Sequence, residues 1–198
     1  MSSSNAIKII LLGESGVGKT NLINVALDKK FEQNSIPSAN SSFLEGVLKY
    51  NEKRYSYTLW DTAGQELYRS LNKIFMKGAK IVIFVYSIDN EQSFNQIEYW
   101  INSANETLGE EKYISAILAN KSDLFEIQKI SDDKGKELAK KHNMKFKLTS
   151  ALDDVQGFKN FLKELILDYI DLIGPEEEKN FNIQIKKTPV KSKKKSFC

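Results

Sequence analysis

A short apolar run, Ala6–Leu12, stops at a glycine and leads directly into Gly13-Glu14-Ser15-Gly16-Val17-Gly18-Lys19-Thr20. This order does most to limit what the chain can fold into. The eight residues match G-x-x-x-x-G-K-[ST], a loop whose successive backbone N–H groups form a nest for anionic oxygens. A buried strand before it and a helix N-terminus after it complete the electrostatics, because the helix dipole favours negative charge there. On this reading Ser15, Gly16, Val17, Gly18, Lys19 and Thr20 bind phosphate. Lys19 reaches the terminal phosphates and the Thr20 hydroxyl ligates Mg²⁺. The alternative is a plain glycine turn, and the loop by itself does not distinguish ATP from GTP.

Further apolar runs, Lys80–Tyr86 and Tyr113–Ala119, suit strands buried on both faces of a parallel sheet. Phe43–Tyr50 and Arg54–Trp60 flank Asn51-Glu52-Lys53 and read as an antiparallel hairpin at the sheet edge. Phe158, Phe161, Leu162, Leu165, Ile166, Tyr169, Ile170 and Ile173 lie on one helical face, and Phe94, Ile97, Ile101, Ala104 and Leu108 on another. Strands alternating with helices predict an α/β fold with a mostly parallel sheet. At 198 residues the chain suits one domain. Gly174-Pro175 predicts the end of the last helix, so the expected division is a domain at 1–173 and a disordered basic tail at 174–198. The tail has few apolar positions and no evident period, and Glu176–Glu178 read as solvated charges in a linker.

The net charge of +3 belongs to that tail. Seven lysines and three glutamates after Ile173 give it +4, which leaves −1 for the preceding residues. A basic composition therefore gives no reason to expect nucleic-acid binding. A single cysteine excludes an internal disulfide and fits a reducing cytosol. No apolar run reaches the ~18 residues of a membrane span. His142, the sole histidine, is expected at a helix end without chemistry.

Asn120-Lys121-Ser122-Asp123 follows the run Tyr113–Ala119, at a strand's C-terminal end where open α/β sheets bind ligands. A carboxylate placed to accept from N1–H and the exocyclic amine of guanine would be unpaired and repelled by adenine. Alone this tetrapeptide is a polar loop; beside the phosphate loop it selects guanine nucleotides.

These two motifs, with Asp61-Thr62-Ala63-Gly64-Gln65-Glu66 after Trp60 and Thr149-Ser150-Ala151 after Met144–Leu148, resemble the ordered motif set of the Ras superfamily. The resemblance spans Ile7 to about Ile173. It implies a P-loop G domain: a six-stranded, mostly parallel sheet with one antiparallel edge strand and helices on both faces. It further implies a switch that binds GTP or GDP with Mg²⁺ and hydrolyses GTP slowly. Phe31 would pack on the guanine, and Asn120, Lys121, Asp123, Ser150 and Ala151 would surround it. Ser38 would complete the metal shell with Thr20 and Asp61, Gly64 would bind the γ-phosphate, and Gln65 would orient the attacking water.

Within the superfamily the chain is most similar to Rab proteins. Phe43, Trp60 and Phe75 occupy the aromatic positions by which Rabs bind effectors, although any one of them alone reads as ordinary packing. The implied partners are an exchange factor, a GTPase-activating protein, Rab-type effectors and a GDP-dissociation inhibitor or escort protein. The implied state is a monomer on the cytosolic face of internal membranes, regulating vesicle trafficking.

The sequence departs from the pattern in four places. Switch I reads Ser38-Ala39-Asn40, which keeps the hydroxyl but loses apolar anchors; lower order with GTP bound is the expectation. Leu67 and Leu152 replace an arginine and a lysine. Cys198 is last in the chain after Lys193-Lys194-Lys195-Ser196-Phe197, an atypical prenylation signal that nonetheless suits one lipid beside a basic patch. The competing readings are a nucleotide-bound scaffold that does not cycle, a GTPase of another Ras branch, and a P-loop kinase or ATPase.

Overall fold

The computed structural model describes residues 6–28, 42–62, 69–179 and 181. The order is β1 (Ile7–Leu12), α1 (Lys19–Ala26), β2 (Ser42–Tyr50), β3 (Lys53–Asp61), α2 (Arg69–Met76), β4 (Ile81–Ser87), α3 (Glu91–Asn95), α4 (Ile97–Leu108), β5 (Ile114–Asn120), a 3₁₀ turn at Ser122–Ile127, α5 (Asp132–Lys141), β6 (Lys145–Leu148) and α6 (Val155–Glu178).

The strands form one sheet in the order β2-β3-β1-β4-β5-β6. Among the described strands only the β2–β3 pair is antiparallel. The expected α/β class and the edge hairpin are therefore present. Strand side chains alternate between two cores, as a period of two requires. Ile7, Ile9 and Leu11 pack with α1 and α6 on one face. Ile10 and Leu12 join Met76, Trp100, Ile101 and Ala139 from α2, α4 and α5 on the other. Covering on both faces explains why β4 is buried along its whole length.

β1 lies between β3 and β4, and the chain leaves it towards β3 before returning past it to β4. That reversal opens a crevice at the strands' C-terminal ends, where ligands bind in sheets of this kind.

Two helices differ from expectation. The helix expected from Phe94 to Leu108 is broken at Gln96, which ends α3 and begins α4. The break follows a turn in which Ser93 bonds back to Asn90 and Ser87, ahead of the apolar face that packs on the sheet. The last helix does break at Gly174, in the left-handed region at φ 76°, but the chain does not leave the domain there. Pro175 suits the first position of a new helical turn. That turn carries Glu178 onto the hairpin, where it accepts from Lys53 at 2.7 and 3.0 Å and from the Tyr55 hydroxyl. Phe181 then meets Tyr169 edge-on at 5.9 Å. Glu177 pairs with Lys112 at 3.0 Å. Regular structure thus continues past the expected boundary at 173, and all three glutamates are ion-paired, Glu176 with Lys179 at 3.0 Å. His142 caps the end of α5 and pairs with Glu98 at 2.9 Å. Among the described residues no helix is long and apolar enough to cross a membrane.

Candidate functional site: a phosphate, metal and base cleft

The phosphate loop needs its glycines for space as much as for φ. A Cβ at Gly13 would sit 2.1 Å from the Val85 carbonyl, so the loop can press against β4 only without one. Gly16 and Gly18 have φ of 76° and 97°, where side chains are disfavoured, and Gly18 caps α1. A Cβ at Gly18 would also lie 2.4 Å from the Asn120 amide nitrogen. Ser15 and Gly16 are exposed, whereas Val17 is fully buried. The loop therefore curls around the buried Lys19, whose ammonium donates to the Gly13 and Glu14 carbonyls at 2.8 and 2.9 Å.

Thr20, one residue on, donates its hydroxyl to Asp61 at 2.7 Å. Asp61 ends β3 opposite Leu11 of β1 and is almost wholly buried. The next residue locks that register, because the Thr62 hydroxyl donates to the Leu11 carbonyl at 2.7 Å. Two residues 41 apart in sequence are thus joined by parallel pairing into a pair of hard oxygen donors. Such donors fit Mg²⁺, which keeps several waters and takes the rest of its shell from a carboxylate and phosphate oxygens. Among the described residues no group of three or more acidic, histidine or cysteine side chains competes for a metal.

The base side is built on Asn120. Its buried amide donates to the Val17 carbonyl at 2.7 Å and accepts from the Ala151 N–H at 3.2 Å. One side chain therefore ties the phosphate loop, the end of β5 and the loop after β6. Lys121 takes a left-handed conformation, φ 65°, which turns the chain out of the strand. The Ser150 hydroxyl donates to the Asp123 carboxylate and accepts from the N–H groups of Leu152 and Asp153 at 3.0 and 3.3 Å. Asp123 is thereby held by a group that is itself fixed by two backbone donors. Leu152, more than half exposed, stands beside this loop.

The structure brings together Ser15, Gly16, Val17, Gly18, Lys19, Thr20, Asp61, Asn120, Lys121, Asp123, Ser150 and Ala151. Phe31, Ser38, Gly64, Gln65 and Cys198 lie outside the described residues, as do switch I and the tail beyond Phe181. Sequence reading missed Thr62 as a register lock, although it sits inside the motif already quoted. It also missed that the Asn120 amide is engaged within the protein.

The aromatic positions form a second feature. Phe43 stacks on Trp60 across the β2–β3 pair at 5.0 Å and 23°, and remains 43% exposed. Phe75 on α2 packs against the same core as Trp60. Lys8 lies 4.4 Å from the Trp60 ring, a cation–π contact that no motif signalled. Burial lowers the pKa of the Lys8 ammonium.

Comparison with known proteins agrees with this geometry. A family model described as "Ras family" matches residues 8–170. The chain is 33% identical to the Ras-related protein SEC4 of Saccharomyces cerevisiae over 202 residues, covering all of this chain and 93% of that one. It is 39% identical to the Ras-related protein Rab-11B of Dictyostelium discoideum over 146 residues, 74% of this chain and 66% of that relative's length. With the Ras-related protein Rab-22A of Canis lupus familiaris it shares 30% identity over 157 residues, 79% and 80% of the two chains.

Proposed function

Because the chain belongs to the Ras family and is a Rab-like small GTPase, we propose that it is a GTP/GDP switch with slow, Mg²⁺-dependent hydrolysis, acting in membrane trafficking. The observation that carries this reading is the 2.7 Å pairing of Thr20 with Asp61 beside the buried Lys19. Phosphoryl transfer needs charge neutralisation and positioning more than covalent chemistry. Lys19 supplies a fixed cation next to the loop that holds the phosphates. Thr20 and Asp61 would hold Mg²⁺, which when bound neutralises charge on the phosphate oxygens. Asp123, oriented by Ser150, selects guanine. Gln65 orients the attacking water, Gly64 binds the γ-phosphate, Ser38 adds a metal ligand and Phe31 covers the base.

No arginine in the described cleft supplies transition-state charge, so intrinsic hydrolysis is expected near the ~10⁻⁴ s⁻¹ scale of Ras itself, with a GTPase-activating protein raising it. An exchange factor, effectors at Phe43, Trp60 and Phe75, and a GDP-dissociation inhibitor or escort protein complete the cycle. Prenylated Cys198 and the tail lysines hold the protein to the cytosolic face of endomembranes, each lysine adding about 1 kcal/mol near an anionic surface.

Single-turnover hydrolysis of bound GTP with Mg²⁺ tests this, comparing the native protein with Gln65→Leu. Slow hydrolysis that Gln65→Leu reduces further is the expected result. Tight GTP binding without turnover in either protein would instead make it a scaffold.

A further inference from the structure

Away from the cleft, the described sheet ends in an open edge, because β2 pairs only with β3 there. Every second residue of this edge strand, Phe43, Glu45, Val47 and Lys49, is exposed. On the other face a groove of about 400 Å³ lies between β2 and α6, walled by Leu27, Leu48, Tyr57, Leu162 and Ile166. That space leaves the helix side of the edge open too. Such an edge is a template for another strand.

The hairpin turn fixes which backbone groups the edge offers. Asn51 and Glu52 have φ of 46° and 63°, as in a two-residue type I′ turn, so Tyr50 and Lys53 form the hydrogen-bonded pair that closes it. The register runs unbroken from there to Ser42 opposite Asp61. Hydrogen-bonded and non-hydrogen-bonded pairs alternate along an antiparallel ladder. Leu44, Gly46, Leu48 and Tyr50 therefore direct their N–H and C=O groups to β3, while Glu45, Val47 and Lys49 turn theirs outward.

Charge then selects a register. Glu45 stands opposite Thr58, with no counter-charge across the ladder. Lys49 stands opposite Arg54, an unfavourable pair of like charges. Along the strand Glu45 and Lys49 are about 13 Å apart, too far to pair with each other. Neither forms an ion pair with another described residue. A second copy laid antiparallel, Val47 against the partner's Val47, sets Glu45 against the partner's Lys49 and Lys49 against the partner's Glu45. All of these facing residues use outward N–H and C=O groups. A centre at Gly46 would instead oppose Glu45 to Val47 and Phe43 to Lys49, and one at Leu48 would oppose Val47 to Lys49. Centres at Glu45 or Lys49 oppose like charges. The register about Val47 thus satisfies both charges and brings a carboxylate to the Lys49–Arg54 pair. It also brings the partner's Leu48 beside Gly46, which lines the groove and has no side chain of its own.

We infer that the β2 edge is a homodimer surface: two copies pair their Glu45–Lys49 segments antiparallel about Val47 and join their sheets. The inference does not depend on nucleotide turnover or lipidation, and it departs from the monomer that the family resemblance implies.

Sedimentation equilibrium of the GDP-loaded full-length chain tests it, at concentrations up to about 1 mM, the weak end of measurable association. A reversible dimer is expected. Glu45→Lys and Lys49→Glu should each weaken it at least about tenfold, because each turns two attractive pairs into repulsive ones. An equimolar mixture of these two variants should associate again, since every facing charge is then opposite. Val47→Pro, which removes an outward N–H and no bond to β3, should abolish the dimer. Unchanged GDP affinity in each variant would verify that the cleft is intact. A native chain that stays monomeric would overturn the inference; if its Val47 amide were protected from exchange, the edge would belong to another segment of the same chain. A dimer that the charge variants leave unchanged, or a mixture that stays monomeric, would also overturn it.

Discussion

At the scale of single residues, the side chains of this cleft are held by hydrogen bonds within the protein. Ser150 is the clearest case, because Asp123 depends on its hydroxyl and the hydroxyl depends on two N–H groups. Ser150→Ala removes one charge-assisted bond and leaves those donors without their acceptor, a loss of about 1–3 kcal/mol. The expected outcome is GDP binding weakened at least tenfold by calorimetry, with Tm changed by only a few degrees. Gly18→Ala is the steric counterpart. Its Cβ would sit 2.4 Å from the Asn120 amide, at a φ of 97° that side chains avoid. Displacing Asn120 breaks its bond to Val17, so nucleotide should dissociate faster in a stopped-flow release assay. An unchanged off-rate would show that Asn120 does not tie the loop to the base site.

Secondary elements depend on a few end groups. Asp154 caps α6 by accepting from the Gly157 N–H at 3.1 Å and also accepts from the Thr149 hydroxyl at 3.1 Å. Asp154→Ala is expected to cost about 1–2 kcal/mol in urea unfolding. The turn after Gly174 hangs on Glu178, whose carboxyl pKa is lowered by hydrogen bonds from Lys53 and then Tyr55. The same contact and, above all, burial push the Tyr55 hydroxyl upwards. A depressed carboxyl contributes stability that is full above its unfolded value near 4.3 and is lost as pH falls through the lower folded value. The Phe181–Tyr169 contact should therefore loosen below about pH 4 by NMR. Glu178→Gln should weaken the same contact at pH 7 and remove that acid step; an identical acid transition in Glu178→Gln would assign it to another group.

For the whole molecule, ligand binding and folding are linked through the cleft. The loop, Asp61 and Asn120 meet only when β3, β1, β4 and β5 are paired in that order, so anything bound there stabilises the sheet. Adding GDP and Mg²⁺ to about 100 times the dissociation constant contributes about 2.7 kcal/mol, or several degrees in Tm. Chelating the metal should reverse part of that shift, and Thr20→Ala should make Tm insensitive to chelation.

Much of this was legible in the linear chain. The phosphate loop, Asp61, Asn120-Lys121-Ser122-Asp123 and Ser150-Ala151 can be picked out by residue type and order along the chain. Apolar runs of seven and a face of period 3.6 likewise declare buried strands and a packed helix, because local burial pattern follows from chain geometry. Other features needed the fold. Thr20 meets Asp61 only through the parallel pairing of β1 with β3, Asn120 meets Val17 across 103 residues, and Glu178 meets Lys53 across 125. A glycine followed by proline announces a break in a helix, and Gly174 makes one. Whether the chain then leaves the surface depends on partners elsewhere, and here Lys53, Tyr55 and Tyr169 hold it. Sequence determines which groups can bind and which stretches bury; tertiary structure decides which distant groups meet, since those contacts form between elements whose proximity no local pattern encodes.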